Sequence, residues 1–179
     1  MSAKAEKTNN QILKAAVNTI LNDGINALTL EAVAKKAGVS KGGLLYHFPN
    51  KESLIKSMVT HILNEFMHSF QTIAAQDPVE KGKWCRAYIQ ASKLDLTNQS
   101  GVYAGMLAAS AHNPSWLTIF DDSLLQIRQT MEQDGIDPVS AAIITTTIDG
   151  LYYAEMVHLT PISSQMREHI FQRLMEMTA

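Results

Sequence analysis

"LTLEAVAKKAGVSKGGLLYHFPNKESL", Leu28–Leu54, reads as two short helices joined by a tight turn. Thr29 is placed to cap the first helix, and Gly38 to stop it after Ala37, since glycine takes the left-handed conformation that ends helices. Ser40 caps the second, which must finish before Pro49 because the residue ahead of a proline is pushed out of the helical region. Ala34 is small enough to let the helices approach, and Val33, Val39, Leu44 and Phe48 supply a little core. The pattern predicts a helix-turn-helix, whose second helix enters the DNA major groove with its first residues toward the base edges.

The pair Gly42-Gly43 is the odd feature of that second helix. Each glycine in a helix interior costs ~1 kcal/mol relative to alanine. Standing alone, two adjacent glycines would mark a loop. Between a cap and a run of helically spaced apolar residues, they predict a backbone that comes close to phosphates and base edges.

Working outward, apolar residues at 12, 13, 16, 17, 20 and 21 predict an amphipathic helix before the motif, ended by Gly24. Asn50 caps a long helix that carries Leu54, Ile55, Met58, Ile62, Phe66 and Phe70 on one broad face and runs to about Ala75, where "QDPVEKG" breaks it. Further helices are expected over about 79–98, 101–111, 114–133, 138–159 and 164–177. Pro114 after Asn113 and Pro138 after Asp137 fit a cap followed by proline at the first helical position. No strand-like alternation or internal repeat is visible, so the fold class is all-α, with residues 1–49 as the helix-turn-helix domain and 50–179 as a larger helical bundle.

The composition, 46% apolar and 18% charged over 179 residues, can bury a proper core and excludes a disordered chain. Residues 1–60 carry eight lysines against four acids, and the rest carries seven basic residues against thirteen acids. A basic first third joined to an acidic remainder suggests that one end meets an anionic partner. The single Cys85 can form no internal disulfide, the N-terminus has no apolar signal-peptide core, and no apolar run spans a membrane; a cytoplasmic chain is the expectation.

The stretch Leu28–Leu54 resembles the TetR family of bacterial transcription regulators: a Thr cap, an Ala in the first helix, A-G-V-S, a Gly-containing recognition helix, a Tyr-His pair followed by Phe, and Lys three residues later. The likeness covers roughly residues 8–55. It implies a helical ligand-binding and dimerisation domain after the motif, a double-stranded DNA operator read by a homodimer, a small-molecule effector and no cofactor. It also implies DNA contacts by Thr29, Lys41, Gly42, Gly43, Leu45, Tyr46, His47 and Lys51. Lys41 would reach a base edge or phosphate, Thr29, His47 and Lys51 phosphates, and Tyr46 the sugar-phosphate backbone. Leu45 stands where the family usually has Tyr, which removes a hydroxyl contact and leaves an apolar one to a thymine methyl or a sugar.

In the second part, the last two helices are candidates for the dimer face, through Ala141, Ala142 and Gly150 and a stripe of Ile170, Leu174 and Met177, or else are core. Trp84, Tyr88, Tyr103, Met106, Trp116, Phe120, Tyr152 and Met156 offer aromatic and flexible surface to a flat apolar ligand, or pack as core. Asp149 and Glu155 are costly in so apolar a helix unless paired or facing a cavity, and point to a cationic aromatic effector or to partial exposure at a dimer seam. Two metal readings compete with these. His61, Glu65 and His68 share a helix face and would suit a metal-sensing regulator. The pairs Glu65-His68 and Glu155-His158 would suit a di-metal helical-bundle enzyme, but no second pair of mid-helix glutamates supports it. The residue pattern otherwise offers no catalytic triad, phosphate loop or dinucleotide fingerprint, so no enzyme is expected.

Overall fold

The computed structural model describes residues 3–98, 101–113, 116, 118–156 and 162–179, and among them every regular element is helical. In chain order the helices are α1 (Ala3–Asp23), α2 (Leu30–Ala37), α3 (Lys41–His47), α4 (Lys51–Gln76), α5 (Lys83–Thr97), α6 (Gly101–His112), α7 (Thr118–Glu132), α8 (Pro138–Met156) and α9 (Ser164–Glu176), with a 3-10 turn at Ile25–Ala27. The all-α expectation holds. By packing, the chain forms two compact units, Met1–Leu63 with Ala104–Ile119, and Asn64–Tyr103 with Phe120–Ala179. The boundary expected after residue 49 falls inside the first of these, because α4 contributes residues to both.

The first unit is built around the helix-turn-helix. Ile12, Leu13, Ala16 and Ile20 of α1 are buried, as are Leu28, Val33, Ala34, Leu44, Phe48, Leu54 and Ile55. This interior follows the spacing of the sequence, at ~1.5–3 kcal/mol for each large aliphatic side chain removed from water. Val39, expected in that core, is only half-buried. Helix α1 begins at Ala3, earlier than its apolar pattern, and its polar first turns carry a Thr8 hydroxyl that donates back to the Lys4 carbonyl at 3.0 Å.

In the second unit the Asp77–Gly82 loop sets the start of α5. The helix begins at Lys83 rather than near 79, because the Asp77 carboxylate accepts from the Val79 amide and Gly82 turns the chain at φ +79°. Arg86 fastens the loop: it donates to Asp77 at 2.6 Å, to the Val79 carbonyl at 2.6 Å and to the Lys81 carbonyl at 2.9 Å. Asp134, buried and distant in sequence, caps α5 by accepting from the Cys85 amide at 2.8 Å, while its own carbonyl accepts from Gly82. Asp137 caps α8 through the Ser140 amide and hydroxyl, with Pro138 at the first helical position as expected. Pro114, the other proline expected to open a helix, lies outside the described residues, and α7 is described from Thr118.

Candidate nucleic-acid interface and bundle interior

The motif is locked by its own caps. Thr29 accepts from the Ala32 amide at 3.1 Å, Ser40 from the Gly43 amide at 3.0 Å and Asn50 from the Ser53 amide at 2.8 Å, which fixes where α2, α3 and α4 begin. Gly38 closes α2 in the left-handed conformation at φ +67°, and the Val39 amide reaches back to the Ala34 carbonyl at 3.0 Å. Gln11 of α1 donates to the Ala37 carbonyl at 2.7 Å, one orphan acceptor that the sequence pattern gave no sign of. Three caps and a left-handed glycine thus fix where α2 starts and ends and where α3 and α4 begin.

The residues expected to touch DNA lie together on this unit. Thr29, Lys41, Gly42, Leu45 and Tyr46 are exposed, Gly43, His47 and Lys51 are half-buried, and Tyr46 shows 83% of its surface. Neither Gly42 nor Gly43 has a positive φ, so the backbone does not need glycine there. A Cβ at Gly42 would meet nothing within 4 Å, and one at Gly43 only the Ser40 hydroxyl at 3.2 Å. Nothing inside the protein therefore explains Gly42. Lys41 has a neighbour that sequence reading missed: its ammonium lies 3.9 Å from the Glu31 carboxylate of α2. Beside the motif, an open groove of about 860 Å³ between α1 and the end of α2 is lined by Lys7, Lys14 and Lys36 among amide side chains.

The second unit gathers part of the expected ligand surface. Phe66, Phe70, Trp84 and Tyr88 form an aromatic cluster, with Phe70 5.2 Å from Trp84 and 6.4 Å from Tyr88 between ring centres. Tyr88, Phe120 and Tyr152 are buried and Trp84 half-buried. Met106 and Trp116 belong to the first unit instead, where Trp116 packs on His112 at 5.0 Å. The side chains of Tyr103 and Met156 lie outside the described residues.

Both puzzling carboxylates of α8 have cations. Asp149 accepts from Arg128 at 2.8 Å and from the Tyr88 hydroxyl at 3.2 Å, and Glu155 accepts from Arg167. Burial, then the Asp149 charge, holds the Tyr88 hydroxyl protonated far above the usual phenol range. Burial, then the Asp95 charge, does the same for Tyr152. Ser92, fully buried beside them, and Asp95 complete a polar seam between α5 and α8 that the apolar pattern had hidden. Cys85 is fully buried and its thiol is pushed up to about 12, chiefly by burial, so it is a packing residue. Among the described residues no three His, Cys, Asp or Glu side chains gather as metal ligands, the His61, Glu65 and His68 face included; His158 of the second Glu-His pair lies outside them. No described helix is long and apolar enough to cross a membrane.

This is the architecture of a DNA-binding regulator. Residues 82–179 match the family model described as "Tetracyclin repressor-like, C-terminal domain", and residues 12–58 match that of "Bacterial regulatory proteins, tetR family". The first match alone takes in more than half of the chain, and the chain belongs to the TetR family. The HTH-type transcriptional regulator RutR of Escherichia coli K12 is 38% identical over 92 residues, covering 46% of this chain and 43% of RutR. The match thus spans under half the length of that relative. Among solved structures, a transcriptional regulator from Rhodococcus sp. Rha1 shares the fold at a TM-score of 0.72 and 21% identity, over 95% of both chains. The multidrug binding protein EbrR, complexed with malachite green, shares it at 0.64 and 22%, over 93% of this chain and 96% of EbrR.

Proposed function

We propose that this chain is a ligand-responsive transcriptional repressor that binds a palindromic operator as a homodimer and is released by a small-molecule effector. The observation that carries the reading is the α2–α3 face. Its caps fix the geometry, and its exposed Lys41, Leu45 and Tyr46 surround a glycine that no internal contact calls for. Lys41 donates to guanine or a phosphate, while Thr29, His47 and Lys51 hold the backbone on either side.

One seven-residue recognition helix is a small footprint, so selectivity requires two half-sites and a two-fold partner. Helix α8 supports this, because it is apolar on two faces. Ala141, Ile144, Ile148, Leu151 and Tyr152 are buried in their own protomer, while Val139, Ala142, Ile143, Gly150 and Tyr153 form an exposed stripe. A Cβ on Gly150 would meet nothing within the protomer, as expected where another backbone approaches. Of the α9 stripe, Leu174 is buried and Ile170 and Met177 half-buried, which favours the core alternative for that helix, and the apolar residue that α9 exposes is Met166.

The effector is placed against the aromatic cluster and polar seam of the second unit. Because Asp149 and Glu155 already hold Arg128 and Arg167, a cationic effector acts by displacing an arginine rather than by filling a vacant acid site. Release follows by linkage: the effector binds better to a dimer whose recognition helices no longer match the operator spacing. Selection from randomised duplex DNA, repeated with Lys41→Ala at two salt concentrations, tests the reading. A palindrome enriched by the native protein and lost in the variant is expected; salt-sensitive binding with no enriched sequence sinks it.

A further inference from the structure

Glu31 is an anomaly on the face just described. It occupies the first turn of α2, two residues after the Thr29 cap, and stands with its side chain 83% exposed. A carboxylate next to a DNA backbone is repelled by every phosphate and adds nothing to general affinity. Acids are favoured in the first turn of a helix by the macrodipole, but that accounts for a residue type and not for its partner. The partner is Lys41, whose ammonium lies 3.9 Å away across the turn and is itself 63% exposed. Lys41 is the first residue of α3 and the longest side chain in its opening turn, since glycines follow at 42 and 43.

We propose that Glu31 is a specificity-determining positioning residue: it holds the Lys41 ammonium off the phosphates, so that the lysine engages DNA only where a base edge draws it away. An unrestrained lysine on a four-carbon stem finds a phosphate on any sequence, and so strengthens wrong sites as much as right ones. Tethered to a carboxylate, it must exchange one partner for another. That exchange is favourable against the acceptors O6 and N7 of guanine, and unfavourable where the groove offers only a donor or a methyl group. Against wrong sequences the lysine stays on its carboxylate and adds no phosphate contact, which is how specificity is gained by weakening the competitors. The pair is too exposed to contribute appreciably to folding, so its consequence lies in binding.

The inference rests on the operator-binding reading, and the experiment separates the two. Fluorescence anisotropy titrations on the selected palindrome and on a scrambled duplex of equal length, over a series of salt concentrations, compare the native protein with Glu31→Gln and Glu31→Asp. Glu31→Gln is expected to tighten binding to the scrambled duplex and to lower the ratio of specific to non-specific affinity by roughly tenfold, the worth of an exposed ion pair released in each of two half-sites. Its salt dependence on the scrambled duplex should steepen by about one unit for each lysine newly given to a phosphate. Glu31→Asp, which keeps the charge, should retain most of the ratio. A residue serving only the α2 helix would shift both affinities together in Glu31→Gln and leave the ratio and salt slope unchanged, and that result overturns the proposal. A native protein that prefers no sequence removes the operator-binding reading itself, before any variant is compared.

Discussion

Replacing Gly42 by alanine should make the protein more stable and a worse DNA binder. Gly42 sits at the second position of α3 in ordinary helical conformation, and a Cβ built there meets no atom within 4 Å. The internal consequence is thus confined to the chain entropy that glycine forfeits on folding, ~0.4–1 kcal/mol in favour of alanine. For a chain of this length that raises the melting temperature by about 1–4 °C. Against DNA the sign reverses. A methyl group pressed into a contact already at van der Waals distance costs about 1–2 kcal/mol per half-site by the penalties seen for overpacking. A symmetric dimer carries it twice, so operator affinity should fall roughly 30- to 1000-fold. Gly43→Ala is the control, since its Cβ lies 3.2 Å from the Ser40 hydroxyl and must disturb the cap, giving less stabilisation or none. Thermal unfolding followed by circular dichroism and anisotropy titration on the selected duplex read both quantities. Higher stability with undiminished affinity would refute the close-approach argument, and lower stability would show that residue 42 is not helical.

Further outcomes follow from other parts of the molecule. Gly82→Ala combines a left-handed backbone with a Cβ 2.6 Å from the Thr178 carbonyl oxygen, and should destabilise by about 3 kcal/mol, measurable as a lower urea midpoint. Asp77 is held below its usual pKa, first by its hydrogen bond from Arg86 and then by the Val79 amide. A depressed folded pKa means that the stability it contributes is present above the ordinary carboxylate range and lost as the pH falls through the lower folded value. Asp77→Asn should therefore be less stable at neutral pH and lose less on acidification than the native chain, as read by melting curves from pH 7 down to about 3. Cys85 should resist a thiol reagent such as 5,5′-dithiobis(2-nitrobenzoate) in the folded protein and react fully in denaturant; rapid labelling of the native state would contradict its burial and raised pKa. Ile143→Glu places a charge on the exposed stripe of α8 and should shift the sedimenting species toward monomer with little change in helical content; an unchanged dimer would move the interface elsewhere.

What could be read from the sequence was whatever depends on neighbours along the chain. Thr29, Ser40, Asn50 and Asp137 each cap a helix from within three residues, and each was visible as a residue type followed by an apolar run. The residues that the family resemblance implies for DNA contact lie close to those caps along the chain, on the same unit. What depends on distant partners was not visible. Asp134 caps α5 by accepting from an amide 49 residues before it in the chain, and Arg86 draws the preceding loop onto α5, so that the helix starts at Lys83 and not near 79. The same distance hid the arginines opposite Asp149 and Glu155, so that two acids in an apolar helix pointed either to a cationic effector or to partial exposure at a dimer seam. Helical spacing reports which face is apolar, but not whether that face meets its own protomer or another. That is why the sequence leaves the α9 stripe open between dimer face and core.

The two-faced character of α8 has a thermodynamic consequence. Its inner stripe closes the core of one protomer and its outer stripe closes the proposed dimer, so a single helix belongs at once to folding and to assembly. Dilution then removes support from the same element that the interior depends on, and the melting temperature should rise with protein concentration by mass action. A cell that makes little of this protein would hold a less robust regulator, as well as fewer copies of it.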